Sequence, residues 1–413
     1  MSWLSRRERF VSAPLQRLFP TLVVLGVAAP ALGAQYYLQP IATVTVESNS
    51  NIFLDAAGGS SPVGAYGADA AAVIGIATPD SDSNLKPRIR YLDYPNANKL
   101  NRLEAALDFN TSYKSLRNAF GLSGRFDHLN DATAQKPSAL FNDVNPNAPG
   151  TSDTGRVQEG TTRDYLILRP SYTYQASQLV SLGATALYQT ESFSPANLTS
   201  HVNFDFYQGN LFVGRKLSER TGLFAGGLVS RYETRDVVST ADSTGADIGI
   251  TYDLAKTLVA DLHVTFQRTD VNSTLSPVFI GTLNNWGASG RLTWLKDAAA
   301  FRIDLGRTIQ PGSGGGLYSA DQLHVEYDRE ISERLSYVTA ARAVATRGLW
   351  ANVGNQDRNY AAVDLSAKWM LTRTWIVEGG FSYFYRKYRT DPDSAYNNSF
   401  FVRCGYQGLP RQR

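Results

Sequence analysis

From about residue 36 to residue 409 the chain repeats one unit: an alternating apolar and polar run, a very short connection, a second such run, and a longer connection. The segment from Asp261 to Gln267 shows the run plainly. Side chains of a strand point alternately to opposite faces. Leu262, Val264 and Phe266 therefore share one face, and Asp261, His263, Thr265 and Gln267 the other. A soluble sandwich can alternate in this way too. The persistence of the pattern and the length of its runs point instead to a transmembrane β-barrel, with lipid outside and water inside.

The runs lie near 36–47, 67–77, 85–93, 102–113, 119–130, 163–175, 179–193, 203–217 and 222–236. They continue near 243–255, 258–271, 284–296, 300–309, 318–331, 335–348, 358–371, 374–389 and 397–409. This predicts an all-β, antiparallel, up-and-down barrel of about eighteen strands, with about sixteen as the fallback. The run at Asn203–Leu217 changes phase near Gly209, which predicts a bulge there or a slip in the assigned register. Ala68–Ile76 is mostly Ala and Gly and says little.

The connections alternate in length. Ser115–Asn118, Ala176–Gln178, Ser218–Thr221, Lys256–Thr257, Asp297–Ala299, Ser332–Arg334 and Thr372–Arg373 are tight. Those between them are longer and richer in Gly, Pro, Asn and Asp, such as Gln310–Gly316 and Asp391–Ser394. Outer-membrane barrels have short periplasmic turns and longer extracellular loops, so the first connection, Ser48–Tyr66, is expected outside. The longest, about Asp131–Thr162, is the candidate constriction of the lumen, since long structureless loops are commonly functional. Gly312–Gly316 lacks the lysine, strand and helix of a phosphate loop and reads as a flexible loop. No fixed repeat length suggests a propeller or β-helix.

A charged side chain facing lipid at the midplane costs about 2–4 kcal/mol. The charged face of each run is therefore assigned to the lumen. The candidate lumen-facing residues are Arg231, Arg291, Arg302, Arg342, Asp261, His263, His324 and Glu326. The same register adds Arg88, Arg90, Arg125, Arg169, Arg235, Arg403, Glu104, Asp108, Asp127, Glu233, Asp247, Asp304, Asp364 and Glu378. Both signs occur in similar number, which predicts little ion selectivity. Interleaved Tyr and Phe would suit neutral or mixed sugars. Trp294, Trp369, Trp375, Tyr383, Tyr385 and Tyr388 fall near strand ends, where interfacial girdles sit.

The start of the chain agrees with export. Arg6, Arg7, Arg9 and Arg17 stand against Glu8 alone, followed by an apolar stretch from Thr21 to Leu32 and small residues at Ala31, Gly33 and Ala34. Residues 1–33 read as a secretory signal peptide, cleaved after Gly33 or Ala34, and residues 34–413 as the barrel. Its apolar core is too short to span a membrane. The formal charge of +3 resides in this leader, so the mature chain is close to neutral. That argues against nucleic acid as a partner.

Little in the chain suggests chemistry. Four histidines are present, and none has a metal-ligand spacing. His324 and Glu326 share a face two residues apart, which any polar lumen supplies. The single cysteine, Cys404, permits no intrachain disulfide and reads as a small hydrophobe on the face of Phe400, Val402 and Tyr406. No catalytic, metal or cofactor site is expected. The reading is a non-enzymatic barrel in the outer membrane, giving passage to a hydrophilic solute or polymer. The alternatives are a barrel-embedded enzyme acting on lipid or polysaccharide, marked by Ser or Asp with His at the rim, and a non-conducting scaffold.

Two segments carry a family likeness. Gln39–Phe53 contains Ser48-Asn49-Ser50-Asn51-Ile52-Phe53, and Asn397–Tyr406 closes the chain's strand pattern. Both resemble the β-barrel porin 2 family of Gram-negative outer-membrane proteins. The final segment also looks like the signal read by the barrel-assembly machinery, although here the chain continues to Arg413. The resemblance implies outer-membrane lipid and that machinery as partners, and a link to exopolysaccharide biosynthesis and export components.

Overall fold

The computed structural model describes residues 34–56, 62–95, 97–136, 157, 159–195, 201–235, 237–274, 279–350, 357–389, 393–409 and 411–412. The expected signal peptide lies outside the described residues. The first strands are β1 (Gln35–Asn49), β2 (Val63–Ala77), β3 (Ser81–Asp93), β4 (Arg102–Lys114), β5 (Asn118–Asn130) and β6 (Thr162–Gln175). Next come β7 (Val180–Ser194), β8 (Phe204–Lys216), β9 (Thr221–Thr234), β10 (Ser239–Ala255), β11 (Leu258–Ser273) and β12 (Phe279–Lys296). The wall is completed by β13 (Ala299–Gly312), β14 (Gly316–Ser332), β15 (Leu335–Gly348), β16 (Arg358–Met370), β17 (Trp375–Tyr388) and β18 (Ser394–Gln407). A two-residue strand, β19 (Arg411–Gln412), follows.

Each long strand pairs antiparallel with its sequence neighbours, and β18 pairs with β1 from Ile41↔Gln407 to Asn49↔Ser399. The barrel is thus closed, antiparallel and up-and-down, with eighteen long strands. No helix among the described residues is long and apolar enough to cross a membrane. The crossing is made by strands, each paired with both of its neighbours around the circle.

Register fixes the two faces. Directly opposed residues share a face, so one face can be followed around the whole circle. The outer one carries Leu38, Val46, Leu103, Leu211, Val229, Ile248, Leu262, Phe266, Leu305, Leu323, Leu365 and Val402, all exposed on the isolated barrel. Tyr113, Tyr172, Tyr252, Trp369 and Trp375 stand on this face toward the turn end. Trp375 meets Tyr406 edge-on at 5.4 Å between ring centroids. An even-stranded closed barrel with such a band and girdle is an outer-membrane barrel. Among the aromatics expected in the girdle, Tyr388 faces inward instead, under the Arg386 guanidinium at 4.6 Å.

Two irregularities differ from expectation. β8 shows no bulge at Gly209: its pairing with β7 and β9 runs unbroken through Gly209↔Ala186 and Gly209↔Val229. The apparent phase change arises because Phe204 and Phe206 are apolar residues buried inside the barrel. At the chain end, Gly408 N–H donates to the Pro40 carbonyl at 2.8 Å. Pro40 has no N–H to return on that side, so β18 stops and pairing resumes as β19 against Tyr37 and Leu38.

Because Val264 faces lipid and Thr265 faces the lumen, V264K is expected to destabilise the barrel by about 2–4 kcal/mol and T265K by under about 1 kcal/mol. Urea unfolding of the barrel in lipid vesicles measures both; equal costs would invert the assigned faces.

Candidate functional site

The inner face carries two ionic networks. On the first arc, Arg88 pairs with Asp69, Arg90 approaches Glu47 at 3.4 Å and Glu104 at 3.9 Å, and Arg102 holds Glu104 at 3.1 Å. Arg125 lies between Asp127 at 2.7 Å and Asp108 at 3.8 Å. On the other arc, Arg291 meets Asp304 at 2.7 Å with Arg302 at 3.5 Å on the same carboxylate. These are cross-strand and same-strand pairs on one face, the arrangement that compensates charges removed from bulk water. Arg169 and Arg342 form no ion pair among the described residues.

Seven of the eight candidate lumen residues stand on the inner face: Arg291, Arg302, Arg342, Asp261, His263, His324 and Glu326. His324 is opposed by Asp304 and Arg342, and Glu326 by Arg302. Arg231 does not. It pairs in register with Tyr207 and Asp242 on the outer face, as Glu233 does with Asp205, and its neighbour Arg235 binds Asp205 at 2.6 Å. Outer-face charges recur beyond the apolar band at the loop end: Asp242, Arg268, Asp270, and the His128–Asp164 pair. The wall continues past the bilayer there, and both its faces meet water. A charge-based rule for choosing the lumen fails in that stretch.

The loop end of the lumen is filled by the chain's own connections. The Gly-rich tip of the β13–β14 hairpin, expected to be a flexible loop, is buried from Gln310 to Tyr318. It folds inward against β9, β10 and the β7–β8 connection, where its carbonyls accept hydrogen bonds from Val202 N–H to Ser313 at 2.6 Å, Tyr232 O–H to Gly312 at 3.0 Å, and Ser239 O–H to Gly315 at 2.8 Å. Gly315 takes a φ of 89°, which favours glycine. A Cβ on Gly316 would stand 2.6 Å from the Trp350 ring that covers it. Leu317 and Trp350 then pack with Phe204, Phe206 and Tyr232 of the wall.

The β5–β6 connection also turns inward, at the residues described. The short helical turn Asp131–Ala134 is buried, with Ala132 packed on Ile52, Leu92 and Tyr94. Thr133 donates to Glu104 at 2.6 Å, and Val157 reaches both Leu54 and Ile52 clusters. Residues 137–156 of this connection lie outside the described residues.

His201, from the β7–β8 connection, ties these segments together. Its Nε2 lies 3.3 Å from Asp131 Oδ2, its Nδ1 lies 2.7 Å from Ser313 Oγ, and its ring stacks on Phe193 at 4.3 Å. An acid, an imidazole and a hydroxyl in a row resemble a hydrolytic triad. Here all three are essentially without solvent exposure, so no substrate reaches the hydroxyl. The hydroxyl also sits on Nδ1 and the acid on Nε2, the reverse of the usual order. The row acts as a latch between three loops. Its members are 70 and more residues apart and sit in three separate connections, so no spacing rule could have found them.

Structural comparison returns outer-membrane proteins at low identity. Pseudomonas aeruginosa OccK11 (OpdR) is 12% identical with a TM-score of 0.41, covering 92% of this chain and 96% of its own. OccK2 (OpdF) of the same organism, solved in complex with glucuronate, is 12% identical with a TM-score of 0.44, covering 91% and 98%. Acinetobacter baumannii OccAB3 is 11% identical with a TM-score of 0.43, covering 90% and 99%. No family model matches the chain, and no curated protein matches it in sequence.

Lys136, two residues after the helical turn, has an enclosed ammonium that donates to the Ile52 carbonyl at 2.5 Å and stands 6.0 Å from the Phe384 ring centroid. Burial, reinforced by Arg102 and opposed by Glu47, pulls its pKa down to about 7. Released into water it returns to about 10.4. The released loop therefore binds more protons between those values, so inward packing strengthens as pH rises from about 7 to about 10 and changes little below. Single-channel conductance is expected to fall across that rise, and K136M to remove the dependence. A wild-type conductance flat over the window would detach Lys136 from the constriction.

Proposed function

We propose that the chain is an outer-membrane channel for small hydrophilic solutes, narrowed at its extracellular end by its own loops. The observation that carries this reading is the division of the lumen. Its loop end is narrowed by segments held through polar contacts and an apolar cluster, while the wall below is lined by charged and amide side chains compatible with water. Opposite charges lie within 4 Å of one another along that wall, which supports weak ion selectivity. The resemblance of Ser48–Phe53 and Asn397–Tyr406 to the porin 2 family adds an exopolysaccharide locus as the setting. In that setting the hairpin folded into the lumen favours a short saccharide over a threaded polymer. A barrel-embedded enzyme is disfavoured by the burial of Asp131, His201 and Ser313. A non-conducting scaffold is the second reading, favoured by the depth at which Leu317 and Trp350 are packed.

Planar-bilayer recording of the refolded chain separates these. Wild type is expected to conduct in small steps, and H201A combined with G316V, which unlatches the hairpin and displaces Trp350, to raise the step several-fold without unfolding the barrel. Silence in both proteins would leave the scaffold reading.

A further inference from the structure

Beneath the hairpin stem, the β7–β12 wall encloses an inward-facing cavity of about 590 Å³. That volume falls in the ~300–1,000 Å³ range of small-ligand pockets. Its lining differs in kind from the two ionic arcs. Two phenylalanines, Phe212 and Phe224, lie against the wall rather than projecting from it. Each ring covers the inner face of a cross-strand glycine, Phe212 over Gly183 and Phe224 over Gly249, where a Cβ would fall within the ring. Glycine is required at both places because only a bare backbone lets the ring lie flat. A ring lying over the wall leaves its second face on the lumen side, and at Phe224 the His263 imidazole stands against the ring at 4.5 Å between centroids, tilted by 48°.

Around these two faces stand amides and one carboxylate. Gln208 donates one N–H to Asn210 at 3.2 Å, and Asn210 donates to Thr185 at 3.0 Å, which leaves further donors and acceptors on both amides. The amide of Gln267 has no hydrogen-bond partner among the described residues. Asp247 accepts from Thr265 at 3.2 Å and lies 3.9 Å from His263 Nδ1, with lone pairs remaining. Among the described residues, no arginine or lysine other than Arg307, whose side chain is bound to Asp321 on the outer face, borders the cavity.

An apolar ring face beside amides and a carboxylate is complementary to a pyranose: its C–H face stacks on the aromatic, and its hydroxyl rim exchanges hydrogen bonds in both directions. A carboxylate unopposed by lumen arginine disfavours an anion. We propose that this cavity is a binding subsite for a neutral saccharide, with Phe212 and Phe224 as stacking platforms and Gln208, Asn210, Gln267 and Asp247 as hydroxyl partners. The proposal rests on the reading of the lumen as a solute passage, and it deepens that reading by naming the solute class.

The test titrates the full refolded chain in detergent with maltohexaose, cellohexaose and an acidic hexauronate by calorimetry. Bilayer recording of the same preparations runs alongside, and heat-modifiable electrophoretic mobility certifies each barrel as folded. At least one neutral hexasaccharide is expected to bind saturably. F224A should weaken it about tenfold, the loss of one stacked contact, and G249V, which pushes the ring off the wall, should do the same. F401A removes another flat ring, over Gly380 in a different arc beside Arg403, and should leave binding unchanged. Absence of saturable binding by both neutral probes, tighter binding of the hexauronate, or equal weakening by F401A would overturn the subsite. Conduction without binding overturns the subsite alone, whereas binding without conduction supports the subsite and overturns the passage.

Discussion

The pairing of β1 with β18 is the contact on which the structure depends. In hydrocarbon an unpaired N–H or carbonyl costs several kcal/mol, so an open sheet edge of this length could not exist in a bilayer. Nine opposed residue pairs, from Ile41↔Gln407 to Asn49↔Ser399, remove that edge. Closure also fixes the faces. A slip of one residue at this seam would turn the apolar band inward on one side of the barrel. The break at Pro40 falls near the periplasmic end of the seam, and the β19 tail restores pairing just beyond it. Continuation of the chain past Tyr406 thus has a structural use.

Closure creates the lumen, and the lumen sets what the loops can do. A wall of paired charges offers little apolar surface to a loop that folds inward. The plug therefore meets the wall in two ways: through apolar islands such as Phe204, Phe206 and Tyr232, and through hydrogen bonds to backbone carbonyls of the Gly-rich hairpin. Glycine at 315 and 316 suits such a tip because recognition falls on the main chain, with Trp350 lying where a side chain would otherwise stand.

The fold was legible because a strand in a bilayer has two solvents and a period of two. Asp261–Gln267 carries both facts in seven residues, and the long–short alternation of connections supplies orientation. Legibility failed where those premises lapse. Arg231 lies above the bilayer, where outer charges cost nothing. Phe204 and Phe206 imitate a phase change because part of the lumen is dry. The glycines of the hairpin tip advertise freedom, yet their carbonyls are tied down by residues from β9, β10 and the β7–β8 connection. The contact of His201 with both Asp131 and Ser313 depends on where three loops arrive in space, and neither alternation nor spacing encodes that.

The latch also bears on how the constriction could open. His201, Asp131 and Ser313 belong to three different connections, so no single loop is free to move while the row is intact. Burying a carboxylate costs free energy unless it is compensated, and the imidazole 3.3 Å from Asp131 is part of that compensation. Loss of the His201 imidazole would remove one of the contacts that hold Asp131 inside the lumen. Ser313 would lose the same imidazole, so the β5–β6 connection and the β13–β14 hairpin would lose their shared contact in one event. The constriction is in this sense a cooperative unit, with the imidazole as the shared contact whose removal propagates to both sides of the lumen.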